Sequence, residues 1–157
     1  LHGVDVGNRW QRMAEAWEPR IDDGWYAFND THAMMAFAGA GRRDLAQRLL
    51  TVMQRTAAAS TDNGTMTRTV GLPVANAILA YAEGRHADAV DLLTPVKAIA
   101  ARAGGSHAQR DLIAQTLVSA AEKSGQVRLA RALLNERLAI KPRSALNQSW
   151  MGRVASA

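Results

Sequence analysis

The chain has 157 residues, no cysteine and a formal net charge of +5, and 48% of its residues are hydrophobic but only 5% aromatic. That length suffices for one domain with a sizeable core, and the lack of thiols excludes both a disulfide framework and a thiolate metal site. Arginines or acids interrupt every apolar run before it reaches the ~20 residues that a membrane crossing needs, so no membrane association is expected.

Alanine and leucine dominate, and β-branched runs are scarce, so helix is predicted throughout. In chain order, a first helix spans 6–18, with Trp10, Met13, Ala14 and Trp17 on one face and Pro19 at its end. A first helical hairpin covers 29–59, with helices at 30–40 and 44–59, and Asn29-Asp30 offer caps at its start. Residues 60–69, which include Asn63-Gly64, read as a loop. A second hairpin covers 70–103, with Pro73 in the first turn of a helix over 72–83 and a partner helix over 87–102. Pro95 lies inside that partner and must either kink it or restart it with Thr94 as cap. The third hairpin covers 106–141: Ser106 and Gln109 form a capping box that opens a helix over 107–124, and a second helix follows over 127–140. A last helix over 144–155 follows Pro142 and carries Trp150.

One pattern recurs at each hairpin corner: glycine, then alanine five residues on, then a leucine pair. It occurs as Gly41, Ala46, Leu49 and Leu50; as Gly84, Ala89, Leu92 and Leu93; and as Gly125, Ala130, Leu133 and Leu134. Glycine accepts the positive φ that turns one helix into the next. The alanine lets two helices approach closely, and the leucines lie on the same face as the alanine. The expectation is a single all-α domain over 1–157, built as a right-handed stack of antiparallel helical hairpins with about three hairpins plus flanking helices, that is, a tetratricopeptide-like α-solenoid.

Residues 125–142 resemble the second half of a tetratricopeptide repeat, with Gly125, Ala130, Leu134, Leu138 and Pro142 in their places. They depart from it in Arg137, which stands where the family usually has alanine, and in a repeat period longer than the usual ~34 residues. Three strings, FNDTHAMMAFAGAG (28–41), VGLPVA (70–75) and GGSHAQRD (104–111), resemble the tetratricopeptide repeat protein 38 family in its C-terminal portion. What the resemblance implies is a helical-repeat fold preceded by further repeats; it does not imply a reaction. The start at Leu1, without the basic and apolar regions of a signal peptide, fits a C-terminal piece of a longer cytoplasmic chain.

Two polar clusters exceed what a plain solenoid needs: Asn29, Asp30 and His32, and Ser106, His107, Gln109, Arg110 and Asp111. Both open the first helix of a hairpin, where free N–H groups can hold a carboxylate or phosphate with Arg110 as partner. Capping alone accounts for Asp30, Ser106 and Gln109, and Arg110 and Asp111 can pair with neighbouring helices. No cofactor or metal is expected, because His32 and His107 belong to different hairpins and lack ligand spacing; His2 and His86 stand alone. No nucleophile elbow or phosphate loop occurs, so no catalytic residue is assigned. Sixteen arginines are spread among acids, which argues against nucleic acid. The tryptophans Trp10, Trp17, Trp25 and Trp150 read as packing over the ends of the stack, or as an interface with further repeats or a second copy.

The expected function is a protein- or peptide-binding scaffold whose concave face gathers Asp30, His32, His107 and Arg110 into a shared groove. The alternative is a helical enzyme or small-molecule-binding domain in which the same His/Arg/Asp pocket is completed by N-terminal repeats outside this chain.

Overall fold

A computed structural model describes residues 3–155, and all regular structure among them is helical. His2 lies outside the described residues. Helix α1 (Arg9–Trp17) runs into a 3₁₀ turn (Glu18–Arg20); α2 (Ala27–Gly39) and α3 (Arg43–Ala57) follow. Next come α4 (Asp62–Met66), a π turn (Thr67–Gly71), α5 (Leu72–Ala82) and α6 (His86–Leu93). A 3₁₀ turn (Ala100–Ala103) then leads to α7 (His107–Lys123), α8 (Val127–Ile140) and α9 (Ala145–Ala155). Neighbours in sequence pack on each other, α1 on α2, α2 on α3, and α5 through α9 in succession, while α2 also packs on α5.

The three repeated glycines are equivalent bends. Gly41, Gly84 and Gly125 have φ of 69°, 78° and 75°. At each, the residue after the glycine donates its N–H back across the corner: Arg42 to the Phe37 carbonyl at 2.9 Å, Arg85 to Ala80 at 2.9 Å, and Gln126 to Ala121 at 2.8 Å. This is the Schellman arrangement, which satisfies carbonyls that a helix end would otherwise orphan. No atom lies within 4 Å of a Cβ built at any of the three, so backbone conformation and not crowding demands glycine there. Ala46, Ala89 and Ala130 are fully buried, and the second leucine of each pair, Leu50, Leu93 and Leu134, is buried too, whereas Leu92 is only half-buried.

Three expectations need correction. First, α2 begins at Ala27, so Asn29 and Asp30 lie inside the helix and cap nothing. Its start is tied instead by Asn63, whose Oδ1 accepts from the Ala27 N–H at 3.1 Å and whose Nδ2 donates to the Gly24 carbonyl at 3.0 Å.

Second, most of 60–69 is helical. Thr61 caps α4 by accepting from the Gly64 N–H at 3.0 Å, and a Cβ at Gly64 would lie 2.1 Å from the Ala59 carbonyl oxygen. The Asn-Gly pair thus serves close packing and not a turn. The π turn lies just before Pro73, which lacks an N–H and whose ring would crowd the carbonyl four residues back in a regular helix; widening the preceding turn relieves that conflict.

Third, α6 stops at Leu93 instead of running to 102. Pro95 removes the next donor, and the chain continues in turns to Ala100.

Helix α5 sits at the centre of the core. Its Ala75 and Leu79 face a cluster containing Met34, Phe37, Leu49 and Met53, whereas Val74, Ala77 and Ala80 face one containing Leu93, Leu117, Leu134 and Trp150. A helix buried on opposite sides must be apolar all round, and LPVANAILAYA contains no charged residue. Among the described residues, no helix is long and apolar enough to cross a membrane.

Candidate functional site

Helices α2, α5 and α7 border a run of adjoining depressions that all share Met35 in their lining. Along α2 it is lined by Phe28, His32, Met35 and Gly39, and along α5 by Val74, Ile78 and Tyr81, spacings that keep one face of each helix toward it. Its widest part is a groove of about 450 Å³ lined by Trp10, Met35, Ile78, Tyr81, Leu112 and Thr116. Trp10 closes one end by lying flat on α2. A Cβ at Gly39 would stand 2.5 Å from its indole, so only glycine admits the ring there. At the rim, Lys123 places its ammonium 4.9 Å from the centre of the Tyr81 ring, and the Tyr81 hydroxyl bonds Ser119 Oγ at 2.7 Å.

Toward the start of α2 the groove narrows to a cavity of about 30 Å³ bordered by Phe28, His32, Gln109 and Arg110, room for about one water. Here the two polar motifs meet, although some 75 residues separate them in sequence. The Gly104-Gly105 backbone, with φ of 79° and 78°, lies so close to α2 that a Cβ on Gly104 would strike the Tyr26 hydroxyl and one on Gly105 the Phe28 ring. Arg110 donates to the carbonyls of both glycines and lies 3.3 Å from His107 Nδ1. His32 Nδ1 is 2.8 Å from the Phe28 carbonyl; a carbonyl only accepts, so that nitrogen carries the proton. The His32 ring packs on Phe28 at 4.3 Å between centroids.

His32, Gln109 and Arg110 therefore share one cavity, with His107 against Arg110, but Asp30 and Asp111 do not join them. Gln109 completes the capping box with Ser106. Asp111 binds the Arg137 guanidinium through both carboxylate oxygens, at 2.7 and 3.2 Å, and that hydrogen-bonded pairing holds its pKa below the usual carboxylate value. Arg137 also donates to Asn147 Oδ1 at 3.1 Å. Arg137 is thus a clamp joining α7, α8 and α9.

Asp30 lies in a separate cavity of about 170 Å³, together with Trp17, Arg20, Asp23, Trp25 and Tyr26. It is 7% exposed, and its Oδ2 is buried with no hydrogen-bond partner. Burial first, and the nearby charge of Asp23 second, raise its pKa to about 6. Of the tryptophans, Trp150 is buried and donates to Glu122 at 2.5 Å, whereas Trp25 is 78% exposed.

Sequence reasoning missed the apolar lining of the groove. The signal was present: α2 carries one charged residue and α5 none, so each presents more apolar surface than its hairpin partner can cover. No protein-family model matches the chain, and no solved structure matches it.

Proposed function

We propose that this chain is a tetratricopeptide-like helical-repeat scaffold that binds a peptide segment of a partner protein along α2, α5 and α7. On this reading α2–α3, α5–α6 and α7–α8 are successive hairpins of an α-solenoid with their first helices on the concave side, as the resemblance to the tetratricopeptide repeat protein 38 family implies. The observation that carries it is the groove of about 450 Å³, lined mainly by apolar side chains from α2, α5 and α7 together with Trp10 of α1. Met35, Ile78 and Leu112 would receive apolar anchors of an amphipathic segment, and Tyr81 with Lys123 would hold its polar edge. The alternative, a helical enzyme using the His32–Arg110 cluster, has less support: that cavity is about 30 Å³, and Arg110 is engaged with loop carbonyls.

Selection of a displayed random-peptide library tests the reading. Selected peptides are expected to share apolar residues at helical or extended spacing. They should lose on the order of tenfold or more in affinity when Met35 or Ile78 is changed to aspartate. Peptides that bind both variants as tightly as the unaltered chain would remove the groove from consideration.

A further inference from the structure

The geometry points to a second site: the cavity formed by α1, the 18–26 segment and α2 binds an organic ammonium ion, a quaternary or methylated amine, with Asp30 as counter-ion and Trp17, Trp25 and Tyr26 as walls. The cavity measures about 170 Å³, the volume of about six waters, and suits a compact head group. Asp30 is nine-tenths buried and leaves one carboxylate oxygen unpartnered. An unsatisfied buried carboxylate is among the more costly features a fold can retain, and a cation seated in the cavity offsets its charge by Coulomb attraction, with no hydrogen bond needed.

The lining selects among cations. Asp23 lines the same cavity and lies close enough to Asp30 to raise its pKa, and with Arg20 also in the lining the two carboxylates leave a net negative charge that disfavours anions. Two aspartates fall well short of the six or more oxygens that Ca²⁺ prefers, and aromatic rings do not ligate it. Aromatic walls do attract large, weakly hydrated cations through the ring quadrupole, worth ~0.5–2 kcal/mol for each ring. Of the basic groups nearby, Arg20 lines the cavity, while Arg48 of α3 is paired with Asp22 outside it. The cavity shares no lining residue with the groove along α2, α5 and α7, so this proposal and the peptide-binding reading stand or fall separately.

The test is calorimetric and fluorescence titration of the whole chain with choline, with a short peptide carrying trimethyl-lysine, and with 3,3-dimethylbutanol, which has the shape of choline without its charge. Both cations are expected to bind and the alcohol to bind on the order of tenfold more weakly or not at all. Tighter binding of the peptide identifies a protein side chain as the source of the ammonium group, and tighter binding of choline identifies a free head group. Asp30→Asn should lower affinity by about tenfold with the helical circular dichroism unchanged. Trp25→Ala, which alters a side chain that is mostly in solvent, should lower it severalfold. Affinity should also weaken from about pH 7.5 to about pH 5 as Asp30 takes up its proton. Equal binding of choline and the alcohol, no binding of either cation, or cation affinity unchanged in both Asp30→Asn and Trp25→Ala would overturn the proposal.

Discussion

Burying the Asp30 carboxylate beside Asp23 raises its pKa from 3.8 to about 6, and this links its protonation to folding. Between about pH 4 and pH 6 the folded chain holds a proton that the unfolded chain has released. The stabilisation from that proton is therefore complete below about pH 4 and lost as pH rises through about 6. Asp30→Asn cannot ionise, so at pH 8 it should be more stable than the unaltered chain by on the order of 1–3 kcal/mol, and the difference should shrink toward pH 4. Asp44, held at about 2 by its hydrogen bond from Arg42, acts in the opposite direction at lower pH. Only the difference between variant and parent in urea unfolding across this range isolates Asp30; parallel pH curves would contradict the assignment. Glycines allow a sharper contrast at the same scale. Gly84→Ala meets no atom within 4 Å and only the penalty of positive φ, about 1 kcal/mol. Gly64→Ala drives a Cβ to 2.1 Å from the Ala59 carbonyl oxygen and should destabilise by ~2 kcal/mol or more, because a backbone atom cannot swing away. Equal losses in the two would show that crowding at Gly64 is relieved elsewhere.

Among the elements, α7, α8 and α9 are joined by the Asp111–Arg137–Asn147 contacts. Changing Arg137 to alanine should destabilise by ~1–3 kcal/mol, since it takes the charged partner from Asp111, leaving it with Gln115, and takes a donor from Oδ1 of the buried Asn147. In a double-mutant cycle with Asp111→Ala, the second substitution should do much less harm than the first. Strict additivity in that cycle would mean that the pair is idle. The same contrast shows what could be read beforehand. Each corner is written locally, in glycine, alanine and leucine within ten residues, and so the bends at Gly41, Gly84 and Gly125 were legible. The cap on α2 was not, because it comes from Asn63, 36 residues away, and no local rule connects the two. Asp30 read as a cap for the same reason: an acid near a helix start has that prior, and only the tertiary tie shows that the helix has already begun at Ala27. Asp111 was legible as a polar residue worth attention, but its partner lies 26 residues on, and pairing at that range depends on how α7 and α8 cross.

In the whole molecule, the question is whether the hairpins melt as links of a chain or together. Stacked repeats often behave as one-dimensional arrays in which each unit contacts only its neighbours and the ends loosen independently. Helix α5 opposes that here, because it contributes side chains to both apolar clusters and Ile78 packs against each. Loss of either cluster exposes one side of a helix that has no polar face to offer to water, so the remaining cluster loses its wall. Phe37→Leu, which thins the first cluster, should lower stability by about 1–2 kcal/mol. Native-state amide exchange is the measurement: the slowest amides of α8, in the other cluster, should speed up by the same free energy as those of α3. Unchanged exchange in α8 would mean that the clusters unfold separately, and the groove spanning α2, α5 and α7 would then rest on two independently fluctuating halves.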